Sequence, residues 1–71
     1  MNVYKLERIN SGLSRIEASK ELGISKYHLR NIENSYRNPS TKLLIGMSIL
    51  YKCSLEQLLK NFTDELLESG N

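Results

Sequence analysis

The segment Leu22-Gly23-Ile24-Ser25 places a glycine between two apolar residues and follows them at once with a helix-capping serine. Glycine takes the left-handed backbone conformation without penalty, so a helix can end there and the chain can turn sharply. Leu22 and Ile24 pin the corner to a core, and Ser25 supplies the oxygen that starts the next helix. Upstream, Ser14-Arg15-Ile16-Glu17 has the serine and glutamate of a reciprocal capping box. The spacing therefore predicts one helix from Ser14 to near Leu22, a tight corner, and a second from Ser25 to about Asn34. Two helices of roughly two to three turns each cannot stand alone in water, so the rest of the chain must supply what they pack on.

The rest is punctuated the same way. Val3, Leu6 and Ile9 recur with Tyr4 beside them, and Gly12 offers a stop, which predicts a first helix facing inward through Val3, Leu6 and Ile9. The stretch from Ser35 to Ser40 has the chain's one proline and no periodicity, so it reads as a loop. Ser40 or Thr41 caps a fourth helix to about Tyr51, and Ser54-Leu55-Glu56-Gln57 is a second capping box that opens a fifth to about Asn61. Thr63 can cap a short last turn, with Asp64 and Glu65 favourably placed against the helix dipole. No period-two alternation appears, so the expected fold is all-α, with five helices and room for a short sixth. The expected organisation is one domain over residues 1–62, its central helix pair spanning about 14–34, followed by an acidic tail or short helix over 63–71.

With 71 residues the core is thin, and a single cysteine excludes an internal disulfide. One cysteine and one histidine also exclude a zinc site of the usual ligand sets, and no metal or other cofactor is expected. No run of about 18 apolar residues is present, and the first ten residues lack the apolar stretch of a secretion signal. A reducing cytoplasmic setting and no membrane partner are expected. Charge is unevenly spread: residues 1–53 carry nine basic and four acidic side chains, whereas residues 54–71 carry one lysine and four acids. That division suits a basic body that meets a polyanion and an acidic end that faces away from it. Random scatter over a solvated surface is the plainer alternative.

Several short motifs, weak singly, stand together in order: Gly12-Leu13-Ser14, Leu22-Gly23-Ile24-Ser25, Ile32-Glu33-Asn34, Arg37-Asn38-Pro39-Ser40 and Ser54-Leu55-Glu56-Gln57-Leu58-Leu59. With these the chain resembles the lambda-repressor-like, Cro/repressor or XRE-type family of helix-turn-helix DNA-binding proteins, from about Arg8 to Leu59. It departs from the family pattern at four places. Arg15 stands where the family often has glutamine, and Ala18-Ser19 where it usually has leucine-alanine, which thins the second helix's core and leaves Ile16 to compensate. Ser35 and Lys52 stand where glycine is common.

On a helical wheel the third helix turns Leu29 and Ile32 inward and Tyr27, Arg30, Asn31 and Asn34 outward, with Lys26 and His28 on the flanks. Asparagine pairs with adenine and arginine with guanine through two hydrogen bonds in the major groove. The resemblance implies base contacts by Lys26, Tyr27, His28 and Asn31, and the wheel by itself favours Tyr27 and Asn31. Arg30 suits a base or a phosphate. Arg15, in the first turn of the second helix, and Asn34, Tyr36, Arg37 and Asn38 in the loop suit phosphates, which fix register without reading sequence. A merely polar loop is the plainer reading of Arg37 and Asn38. The resemblance further implies a structural salt bridge between Arg8 and Glu33.

His28 and Cys53 form no nucleophile–base–orienter set, and no phosphate-cradling glycine loop is present, so no enzyme is expected. Cys53 falls where the family has a small apolar residue and is expected to be a buried thiol. The fourth helix is apolar on too many sides. Leu44, Met47, Ser48 and Tyr51 make its expected core face, while Ile45 and Ile49 lie away from it. With Leu55, Leu58, Phe62 and Leu66 they form a candidate dimer or partner surface. The expectation is a sequence-specific regulator of transcription that binds double-stranded DNA as a homodimer and acts by operator occupancy. It resembles the short regulators of phages and mobile elements, in a bacterial or phage-infected cell and associated with the nucleoid. An antitoxin or restriction-modification controller of the same fold is the alternative within the class. A protein-interaction module that has lost DNA binding is the alternative outside it.

Overall fold

The computed structural model describes residues 2–60. Among the described residues five helices follow one another: α1 (Val3–Asn10), α2 (Arg15–Leu22), α3 (Lys26–Glu33), α4 (Thr41–Tyr51) and α5 (Leu55–Leu58). There is no strand among the described residues. The Thr63 turn and residues 63–71, with Phe62 and Leu66, lie outside the described residues.

Each helix begins on a side-chain oxygen that accepts a backbone N–H three residues on. Ser14, Ser25, Ser40 and Ser54 do this for α2 to α5, and the Ser14–Glu17 box is complete in both directions. The ordered bonds from the Ser14 backbone and hydroxyl hold the Glu17 carboxyl below the ordinary carboxylate range. Gly23 ends α2 in the left-handed conformation that the corner requires. Two residues without glycine's freedom do the same elsewhere: Ser35 has φ 65° and Lys52, at the end of α4, has φ 54°. These are two of the four departures from the family pattern, and the backbone there keeps a glycine-like shape despite the side chains.

Asn2 caps α1 and does more. Its Oδ1 accepts from the Lys5 N–H, while its Nδ2 donates to the Ile32 carbonyl at 2.7 Å and to the Ser35 hydroxyl at 3.3 Å. One side chain thus starts α1 and ties it to the end of α3.

The core is assembled from Val3 and Tyr4 of α1, Ala18 of α2, Leu29 and Ile32 of α3, Leu43, Leu44, Met47 and Tyr51 of α4, and Leu58 of α5. Leu13, Leu22, Ile24, Leu50 and Cys53 pack around it. Several sequence expectations are corrected here. The inward face of α1 is Val3, Tyr4 and Arg8, whereas Leu6 and Ile9 are 43% and 46% exposed. Burying the Arg8 guanidinium against Glu33 rotates the helix so that Leu6 and Ile9 point away. Ile16 is 63% exposed and does not compensate for Ala18 and Ser19, which are themselves buried. On α4 it is Leu22 that the small Gly46 accommodates: a Cβ on Gly46 would lie 3.3 Å from Leu22 Cδ2. Ser48, expected on the core face of α4, is only half-buried, and Leu43, not expected there, is buried in the core. Leu58 is fully buried, so it is a core residue and drops out of the candidate partner surface. Cys53 is half-buried at the core's edge, and partial desolvation raises its thiol pKa. Finally, α5 spans Leu55–Leu58, and its expected end at about Asn61 lies outside the described residues.

Candidate nucleic-acid interface

The outward face of α3 is fixed by what lies beneath it. Leu29 and Ile32 are fully buried, so Lys26, Tyr27, Arg30 and Asn34 are exposed, and His28 and Asn31 are half-buried on the two flanks. The wheel therefore placed Tyr27, Arg30 and Asn34 as found. Asn31 lies nearer the body, where its carbonyl accepts the Tyr36 N–H at 2.8 Å and the Arg37 N–H at 3.3 Å. These two bonds fold the loop back onto α3. Asn34, Tyr36, Arg37 and Asn38 are all exposed on that loop, and Pro39 is buried behind them.

Arg15, Lys26, Tyr27 and Arg30 line one polar cleft of about 300 Å³. Lys26 stands at the first position of α3, and that helix has no acidic residue in its first turn. A cation there opposes the helix dipole, which ordinarily favours a carboxylate by about 0.3–1 kcal/mol. The first turn of α4 also has no acid and carries Lys42. In contrast, α2 and α5 carry Glu17 and Glu56 in their first turns. The starts of α1, α3 and α4 are thus all without a carboxylate to offset the helix dipole. The Lys26 ammonium also sits 5.4 Å from the centre of the Tyr27 ring.

The Arg8–Glu33 bridge is present and two-pronged. Arg8 Nε donates to Oε2 at 2.7 Å and Nη2 to Oε1 at 3.1 Å, while Nη1 donates to the Leu13 carbonyl at 2.9 Å. Sequence reasoning missed the third member. Arg15 donates from Nε and Nη2 to Glu33 Oε1, both at 3.2 Å, and its side chain stays one-third exposed. A short-range signal for this contact does not exist, because eighteen residues separate the two. Beneath the triad, the Tyr51 hydroxyl is buried, and desolvation with the nearby Glu33 charge pushes its pKa up to about 12.

On another side, a groove of about 540 Å³ runs between the α2–α3 corner and α4, lined by Leu22, Ile24, Leu43, Gly46 and Leu50 with His28 at its edge. Ile49 rims it and is 73% exposed. Ile45 and Leu55 are exposed as well. Among the described residues no three His, Cys, Asp or Glu side chains are grouped as a metal site would need. No described helix is long and apolar enough to cross a membrane.

Comparison with known proteins agrees with this geometry. Residues 5–58 match the helix-turn-helix family. The chain is 36% identical, over 74 aligned positions covering 94% of it, to the HTH-type transcriptional regulator ImmR of Bacillus subtilis (strain 168). It spans 58% of that relative's length. No solved structure matches the chain. With the paired helices, their glycine corner and the match across most of its length, the chain belongs to the XRE-type helix-turn-helix family of DNA-binding transcription regulators.

Proposed function

We propose that the protein is a sequence-specific operator-binding regulator that lays α3 in the major groove and acts by occupying its site. The observation that carries this reading is the convergence of Arg15, Lys26, Tyr27 and Arg30 on one polar cleft at the start of α3. In this reading Lys26, Tyr27, His28 and Asn31 meet base edges, and Arg30 meets a base or a phosphate. Arg15, Asn34, Tyr36, Arg37 and Asn38 hold the phosphates on either side. The half-buried Asn31 and His28 reach bases only if α3 seats deeply, which the short α3 and the exposed flanking loop favour.

One α3 reads too few base pairs to select a site, so two copies are expected on half-sites roughly 34 Å apart. The exposed Ile45, Ile49 and Leu55 support pairing through the α4–α5 side, and Phe62 and Leu66 belong to the same proposed surface. The relative's printed function as a transcriptional regulator favours the same role here, in the cytoplasm of a bacterial or phage-infected cell. A phage or mobile-element context is retained, with antitoxin or restriction-modification control as the alternative. The groove rimmed by Ile49 favours a protein partner as a second reading.

The test is selection of duplexes from a random pool, followed by salt titration and stoichiometry on the selected site. An enriched inverted repeat, a falling affinity with salt and two chains per site are expected. No enrichment together with salt-independent retention would overturn DNA recognition. One native chain per site at saturation would overturn the dimer, and Ile49→Glu is expected to produce that stoichiometry without unfolding the domain.

A further inference from the structure

We propose that Glu33 is a positioning residue for DNA binding, holding the Arg15 guanidinium in place at the edge of the cationic cleft. The inference rests on the DNA-binding reading above and deepens it. Glu33 is fully buried on its side chain and accepts from two arginines on two other helices. Two guanidinium groups against one carboxylate leave a single positive charge in excess. Arg8 has spent all three of its nitrogens, on both Glu33 oxygens and on the Leu13 carbonyl, and its side chain is 9% exposed. Arg15 has spent two, and its Nη1 has no hydrogen-bond partner among the described residues. The excess charge therefore resides on Arg15, the exposed member, and Arg15 is the member that lines the cleft with Lys26, Tyr27 and Arg30.

The consequence is physical. A free arginine on a helix surface gives up several rotatable bonds when it meets a phosphate, which costs affinity. Arg15 has already given up much of that freedom to Glu33. Its planar fork can hold the carboxylate with one edge and leave the remaining N–H groups for a phosphate oxygen. A lysine has one ammonium, cannot present two edges, and would surrender that arrangement while keeping the charge. Glu33 thus serves two ends. Through Arg8 it holds the end of α3 to α1, and through Arg15 it sets a phosphate contact relative to α3. The distance between the base-reading helix and the backbone contact is then fixed by one side chain.

The experiment is a double-mutant cycle of Arg15→Lys and Glu33→Gln, read as affinity for a duplex selected by the native protein, alongside the arginine Nε–H resonances of the free native protein. Arg15→Lys is expected to weaken binding roughly threefold to tenfold in the native background and less than about twofold in Glu33→Gln. Arg15→Gln is expected to lower the salt slope by about one unit, whereas Arg15→Lys leaves it unchanged. In the free protein, two Nε–H resonances protected from exchange are expected, those of Arg8 and Arg15. Equal losses from Arg15→Lys in both backgrounds overturn the proposal. Where Glu33→Gln fails to fold, a rapidly exchanging Arg15 Nε–H in the native protein overturns it, and a protected one together with the Arg15→Lys loss supports it. If no duplex is selected at all, the DNA reading fails, and with it the proposed role of Glu33, while the resonances still report whether the triad forms.

Discussion

The α2–α3 side and the α4–α5 side of this molecule share serine caps and apolar burial but differ in what is added to them. On the α2–α3 side the outward residues must stand at fixed positions, and to the burial of Ala18, Leu29 and Ile32 are added directional devices, the Gly23 corner and the Arg8–Glu33–Arg15 triad. On the α4–α5 side, Leu43, Leu44, Met47, Tyr51 and Leu58 are held by apolar burial, and further apolar side chains, Ile45, Ile49 and Leu55, are left outside. Directional bonds suit a surface that must place hydrogen-bond donors to within an ångström. Apolar burial is tolerant of direction, and its spare surface suits pairing with another apolar face. The comparison separates residues that position from residues that merely fill.

Breaking the directional side is expected to have the largest effect. Glu33→Ala strands two guanidinium groups, one of them buried, and should cost about 3–5 kcal/mol of stability in chemical denaturation. A variant that unfolds at the native midpoint while its base preference changes would show that Glu33 reads sequence and does not hold the scaffold. Met47→Ala breaks the filling side. Met47 is fully buried at the centre of α4, so truncation should cost about 2–5 kcal/mol by the same measurement. Because the cavity lies away from the α3 surface, affinity at temperatures well below melting should stay near native.

Asn31→Ala sharpens the comparison at the readout surface itself. It leaves the backbone carbonyl that anchors the loop and should weaken binding to the selected duplex by about 1–3 kcal/mol, with relaxed preference at one base pair. Equal losses on selected and random duplexes would remove Asn31 from the base contacts. The smallest effect is expected at the junction between the sides. Lys52 closes α4 in the left-handed conformation, and Lys52→Gly relieves that strain against a larger unfolded-state entropy. A gain of about 0.5–1 kcal/mol in thermal or chemical denaturation is expected, with binding unchanged. Lower stability would mean that the lysine side chain contributes contacts that outweigh its backbone strain.

Much of this is legible in the amino-acid sequence. Caps and stops act over three or four residues, so Ser14, Ser25, Ser40 and Ser54 could be read from the chain, as could Gly23. The third helix was legible because Leu29 and Ile32 leave only one face to solvent. Arg8 and Glu33 were paired through the family resemblance, since no local rule connects positions twenty-five residues apart. The first helix was misread because three apolar residues at helical spacing, Val3, Leu6 and Ile9, outweighed an arginine that proves to be buried.

The sequence by itself determined where α2 to α5 start, how the α2–α3 corner turns and which face of α3 looks outward, because short-range hydrogen bonds and one apolar stripe decide these. Only the tertiary structure decided that Leu58 is core and Ile16 is not, that Gly46 gives Leu22 its room, and that Arg15 shares Glu33 with Arg8. These depend on the distance and angle between helices far apart in the chain, which emerge only when all the elements compete for the same small interior.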